Sequence, residues 1–182
     1  MSAYFVLVLA VLSRLLPHAI HAAGINLTAT GGSLLYFGAR RSRWQALFAV
    51  LAFAATDYYL TVYAYHAPFY VNSYVATWVW YAAVCLFAHR LLSTRATFLR
   101  VGGAVLASAT SFFLLSNFVV WFGSGMYPHS LAGIGLCYIA AIPFYANDIV
   151  STAITAGALF GLPVLATRIA ESFRTPAREN LS

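Results

Sequence analysis

Hydrophobic residues in this chain come in long blocks joined by short polar links, and most blocks have no polar face at helical or strand spacing. Trp44 to Tyr65, Val71 to Leu92 and Val101 to Phe122 each run for about 20 residues, enough for an α-helix to cross a bilayer. Ala3 to Leu16 is also apolar, but Arg14 and Pro17 mark its end and it needs flanking interfacial residues to span. A cleaved leader is the competing reading. No basic residue precedes the apolar run and His21-Ala22-Ala23 is a poor cleavage site, so the segment is expected to stay. Ile25 to Ala39 is short and holds Gly31 and Gly32, which predicts a tilted helix or a re-entrant one buried against protein. In the last block, Leu131 to Ala170, Pro143 followed by Asn147 and Asp148 is expected to divide a short first piece from a full-length final helix beginning at Asp148.

The pattern predicts an all-α polytopic membrane helix bundle of about six transmembrane helices, with one or two short or re-entrant segments. It forms a single transmembrane domain over residues 1–170, followed by a polar tail over 171–182. Composition supports this. Only 8% of residues are charged and 62% are hydrophobic, whereas soluble domains carry roughly 25% charged residues. The net charge of +6 comes from ten basic residues, all arginines, which lie in short clusters between apolar blocks. They form no single patch with interleaved aromatics, so they do not point to nucleic acid.

The arginines instead set an orientation, because basic residues stay on the cytoplasmic side in short loops. Arg40, Arg41 and Arg43 share one link, Arg90, Arg95 and Arg100 another, and Arg168, Arg174 and Arg178 follow the last helix. The links around Pro17 to Thr28, His66 to Asn72 and Gly123 to Ser130 contain none. Both termini are therefore expected to be cytoplasmic. Arg14 breaks the rule, since a first helix entering from the cytoplasm carries it toward the arginine-poor side. Asp57 lies at a matching depth, about 20 Å up its helix at 1.5 Å per residue. Charges at such depth are usually paired or functional. Two readings follow: an ion pair that fixes helix register, or side chains that face a substrate cavity.

Other polar groups gather on the same side. Asn147 and Asp148 are expected to cap the start of the last helix. With Asn117, Asn26 and Thr28 they place several hydrogen-bonding groups at one depth. His18 and His21 have a chelating spacing but no nearby carboxylate or cysteine, and no metal site or cofactor is expected. Cys85 and Cys137 sit inside apolar blocks and read as buried small residues. Tyr58, Tyr59, Tyr63, Tyr65, Phe69, Tyr74, Trp78, Trp80 and Tyr81 suggest packing and interfacial anchoring, or a stacking wall for a flat ligand. Gly103, Ala107 and Ser111, and Ala153, Gly157 and Gly161, form stripes at a spacing of four. These predict packing seams within the chain, with a contact to another membrane subunit as the alternative. GxxxxGK[ST], HExxH and GxSxG are all absent, so the sequence gives no support for an enzyme.

Leu12-Ser13-Arg14-Leu15-Leu16-Pro17-His18, Asn26-Leu27-Thr28, Ser116-Asn117-Phe118-Val119-Val120-Trp121, Tyr127-Pro128 and Cys137 to Phe144 resemble a family of small bacterial membrane proteins with a suggested transport role. The layout is more distantly similar to the substrate-binding S components of energy-coupling-factor transporters, in Gly38-Ala39-Arg40 before the helix carrying Asp57 and in Pro143 to Asn147. The resemblance implies a multi-pass protein of the bacterial inner membrane that captures a vitamin-like molecule or metal from outside. A separate membrane coupling subunit with ATPases would drive release. The expected partners are lipid, a small-molecule ligand and that coupling subunit, and not nucleic acid. The expected substrate-binding residues are Arg14, His18, Asn26, Asp57, Asn117 and Asp148. A non-catalytic membrane assembly or scaffold protein is the alternative. The capture reading predicts a concave pocket on the arginine-poor side.

Overall fold

The computed structural model describes residues 2–19 and 28–174, with the backbone alone at 16–19, 173 and 174. Among the described residues it is all-helical: α1 Ala3–Ala19, α2 Thr30–Arg40, α3 Ala46–Tyr59, α4 Asn72–Leu92, α5 Phe98–Gly123 and α6 Leu131–Arg174. A 3-10 turn at Arg43–Gln45 leads into α3, and a π-helical turn at Leu60–Ala64 ends it. Among the described residues, four stretches are long and apolar enough to cross a membrane: Arg43–Ala64, Asn72–Leu92, Phe98–Gly123 and Leu131–Ser172.

Local chemistry explains the boundaries. Ser42 and Gln45 bond reciprocally across the first turn before α3, a capping box that starts the chain back into the bundle. Thr97, in extended conformation, caps α5 through the Arg100 N–H. At the far end of α3, the Tyr65 N–H reaches back to the Leu60 carbonyl at 2.8 Å and the Ala67 N–H to Thr61 at 2.9 Å. The positive φ of 51° at His66 then ends the helix.

The core is organised around α2. Its residues from Gly31 to Ala39 are all buried, and Leu34, Leu35 and Phe37, with Phe53 of α3, are among the largest fully buried side chains. Eleven residues make a helix of about 16 Å, well short of a bilayer, so α2 is held by its neighbours. Two close approaches do this. A methyl group on Gly31 or Gly32 would collide with Thr152, Thr155 and Ala156 of α6, and one on Gly38 with the backbone of Cys85 in α4. Glycine here lets two backbones touch from opposite sides. Of the expected segment Ile25 to Ala39, the described helix covers Thr30–Arg40, short and buried, and residues 25–27 lie outside the described residues.

The outer surface is the inverse of a soluble protein's. Val8, Leu12, Leu47, Leu51, Val79, Leu106, Ile139 and Ile154 are all exposed, an apolar coat suited to lipid and not to water. The arginine-bearing links gather at one end. There the Gln45 amide donates to the Tyr4 hydroxyl at 2.9 Å, His89 Nδ1 meets the Arg41 carbonyl at 2.9 Å, and Arg100 donates to the Leu91 carbonyl at 3.3 Å. At the opposite end Ser13 accepts from the Ala29 N–H at 3.0 Å and Trp121 donates to the Pro128 carbonyl at 3.0 Å.

Two expectations are corrected. Pro143, Asn147 and Asp148 do not divide the last block, because α6 runs unbroken for 44 residues through both Pro143 and Pro163. Asp148 is thus no helix cap. In water its side chain would compete for backbone N–H groups, but in apolar surroundings a break would leave several backbone groups unpaired at several kcal/mol each, and the helix persists. The two stripes of small residues are not internal seams either. Gly103, Ala107, Ser111, Ala153, Gly157 and Gly161 are all exposed, and the four glycines Gly102, Gly103, Gly157 and Gly161 have open space where a side chain would go. The packing seams belong to the glycines of α2 instead. The chain also stays helical from Glu171 to Arg174, and residues 175–182 of the expected tail lie outside the described residues. Cys85 and Cys137 are free and buried, as expected.

The glycine contacts give a paired test. Gly38→Ala should lower thermal stability in detergent by about 1–3 kcal/mol, since the Cys85 backbone cannot move aside, whereas Gly102→Ala should cost nothing measurable. Equal melting temperatures for the two variants would show that α2 does not depend on the close approach.

Candidate functional site

Arg14 sits in the second half of α1, where apolar packing would otherwise demand a neutral side chain. Its Nη2 meets Asp57 Oδ1 at 2.5 Å. The other carboxylate oxygen, Oδ2, accepts from Trp78 Nε1 at 2.9 Å. Asp57 is 4% exposed, so both of its oxygens are occupied within the protein. A guanidinium and a carboxylate buried together must be matched in this way, since either alone would carry an uncompensated charge. The guanidinium also lies over the Phe53 ring, 5.6 Å from its centroid.

Arg14 has a second face. Its Nη1 is buried and has no hydrogen-bond partner among the described residues. The residue lines a cavity of about 350 Å³ in the arginine-poor half of the bundle, within the size range of small-molecule sites. Thr28, Thr30 and Gly31 close it from the start of α2, and Trp80 and Tyr81 from α4. On the far side, Phe112, Phe113, Ser116 and Asn117 of α5 face Ala141, Phe144, Tyr145 and Asp148 of α6.

Several lining side chains are bonded or stacked. Trp80 donates to Ser111 at 3.0 Å, and the Tyr145 and Thr110 hydroxyls share a bond of 2.7 Å. Phe113 stacks on Tyr145 with centroids 4.6 Å apart, and Trp80 packs on Phe112 at 4.7 Å. Asn117 spends its amide N–H on the Phe113 carbonyl at 2.7 Å. Because only the NH₂ can donate there, the amide oxygen is the part left to turn elsewhere. Asp148 accepts one long bond from Thr152, 3.4 Å, on its own helix. The Thr30 hydroxyl is buried and unpartnered. Fixed aromatic walls with a few unused polar groups are the ordinary make-up of a ligand pocket.

Residues 1–174 match the model of the family of unknown function DUF6580. The chain belongs to that family. Comparison with curated proteins and with solved structures finds no match. DUF6580 membership brings no activity with it, so the chemistry of the site rests on its own residues.

Of the expected binding residues, this DUF6580 protein brings Arg14, Asn117 and Asp148 to one cavity. Asp57 stands behind Arg14 and does not line it. The side chain of His18, all of His21 and Asn26 lie outside the described residues. The aromatic wall is also placed differently. Trp80 and Tyr81 line the cavity, whereas Tyr58, Tyr59, Tyr63 and Tyr65 are exposed. Phe69, Tyr74 and Trp78 stack on one another and reach Asp57 through Trp78. Sequence reasoning missed Phe112, Phe113, Ser116 and Tyr145. The adjacent polar pair Ser116-Asn117 inside an apolar helix was the available signal.

The ion pair is tested by a double-mutant cycle. Asp57→Ala should destabilise by about 3–5 kcal/mol, because Arg14 is left unmatched in the interior. In a cycle of Asp57→Ala, Arg14→Met and the double variant, the double should recover most of that loss in thermal unfolding. Additive losses in the double variant would show that the two side chains act independently.

Proposed function

We propose that this chain is the substrate-capturing integral membrane subunit of a small-molecule uptake system, seated in the bacterial inner membrane with both termini cytoplasmic. The observation that carries the reading is the cavity of about 350 Å³ at which Arg14, Asn117 and Asp148 converge. It lies toward the end of the bundle whose links hold no arginine, the external side under the rule that basic loops stay inside. Four membrane-length helices support the location.

The chain carries no P-loop, so energy for release would come from a separate membrane coupling subunit with its ATPases. The exposed small-residue faces at Gly102, Gly103, Gly157 and Gly161 support such a partner, because a helix from another subunit can approach closely there. The S-component-like layout noted in the sequence points the same way.

The capture reading is tested by occupancy. Protein purified in mild detergent should retain a small molecule visible by native mass spectrometry. Ala141→Phe, which fills the cavity from α6, should release it with helix content unchanged. A wild type and a filled variant that both carry nothing would sink the proposal. The orientation has its own check: an impermeant thiol reagent added to intact cells should label a cysteine at Ser130 and leave one at Ser93 unmodified. The reverse pattern would invert the topology.

A further inference from the structure

The charges around the cavity do not cancel. Arg14 is matched by Asp57 at 2.5 Å, which leaves Asp148 as a carboxylate with no basic partner among the described residues. Arg14 is balanced by Asp57 behind the wall, so Asp148 is the lining charge left without a counter-charge among the described residues. The remaining free groups sort by hydrogen-bond role. The acceptors are Asp148 and the Asn117 amide oxygen, whose NH₂ is committed to Phe113. On the donor side Arg14 lines the cavity beside Tyr81, and Thr30 lines it with a hydroxyl able to serve either way, although Arg14 Nη1 and the Thr30 hydroxyl are themselves buried.

We infer, resting on the capture reading above, that the ligand is a small organic cation. It has a flat aromatic or unsaturated body with one protonated nitrogen that docks on Asp148 and Asn117, and an acceptor atom that meets Arg14. Three arguments converge on this class. An anion would face Asp148 with its own charge, while the attraction of Arg14 is already spent on Asp57. A neutral ligand would leave the carboxylate enclosed and unmatched, which is costly in apolar surroundings. A cation satisfies Asp148 and is also attracted to the faces of Phe112, Phe113 and Tyr145. Arg14 in this arrangement is a neutralised donor that orients the other end of the ligand, held in place by Asp57.

The experiment compares three probes of one shape and different charge: tyramine, 4-ethylphenol and 3-(4-hydroxyphenyl)propionic acid. Each is titrated against thermal unfolding of the purified full chain in detergent. Tyramine should stabilise, and the neutral and acidic probes should not. Asp148→Asn should weaken tyramine about ten- to a hundredfold, the range for losing a hydrogen bond to a charged group, while Asp148→Glu retains most of the effect.

The ligand-free Asp148→Asn protein should melt higher than wild type, because the unmatched charge is gone. A merely structural aspartate would give the opposite shift. Equal or better stabilisation by the acid or the phenol overturns the cation class and leaves the capture reading standing. Failure of all three probes overturns the cation class as well, and the capture reading is then decided separately by the Ala141→Phe comparison. Unchanged tyramine affinity in Asp148→Asn removes Asp148 from the site.

Discussion

A guanidinium inside an apolar bundle can persist only where a carboxylate meets it, and the meeting of Arg14 with Asp57 sets much else in this protein. It ties α1 to α3 at one register, and through Trp78 it reaches α4. The same residue thus joins the bundle through Asp57 and lines the cavity. Of the two residues in the ion pair, Arg14 also lines the cavity and Asp57 does not.

The second constraint is steric. The glycines of α2 bring its backbone against α6 at one end and against α4 at the other, and that contact fixes where Thr30 and Gly31 stand relative to Asp148. A helix too short to span the bilayer thereby becomes the post around which membrane-length helices are arranged. The cavity forms next to this post, where α5 and α6 face α4 with aromatic rings and small polar groups in place of aliphatic packing.

The architecture was largely legible because hydrophobic length and arginine spacing are one-dimensional signals. The blocks from Trp44, Val71 and Val101 correspond to the structure's long helices within a few residues. Arg14 with Asp57 was legible for a related reason: two opposite charges at equal depth have few ways to avoid each other. The uninterrupted α6 was not. Pro143, Asn147 and Asp148 form a helix boundary in water, and their effect is reversed where no water competes for the backbone. The small-residue stripes misled in the opposite sense, since spacing alone does not say which neighbour a face meets. The contributions of Phe112, Phe113 and Tyr145 to the site were hidden as well. In a chain this rich in aromatics, tertiary contact alone separates a cavity wall from a lipid-facing surface.

The continuity of α6 has a mechanical side. Asp148 and the exposed stretch from Gly161 to Ser172 lie on one rod with no break between them, and Pro143 sits just before Asp148, at a position where helices bend most easily. From Pro143 to Arg174 the rod is about 46 Å long, so a bend of about 10° there moves its far end by about 8 Å. The same bend would move Asp148, five residues from Pro143, by only about 1.3 Å, so a rod of this length would turn a small adjustment of the cavity wall into a larger one at the opposite end.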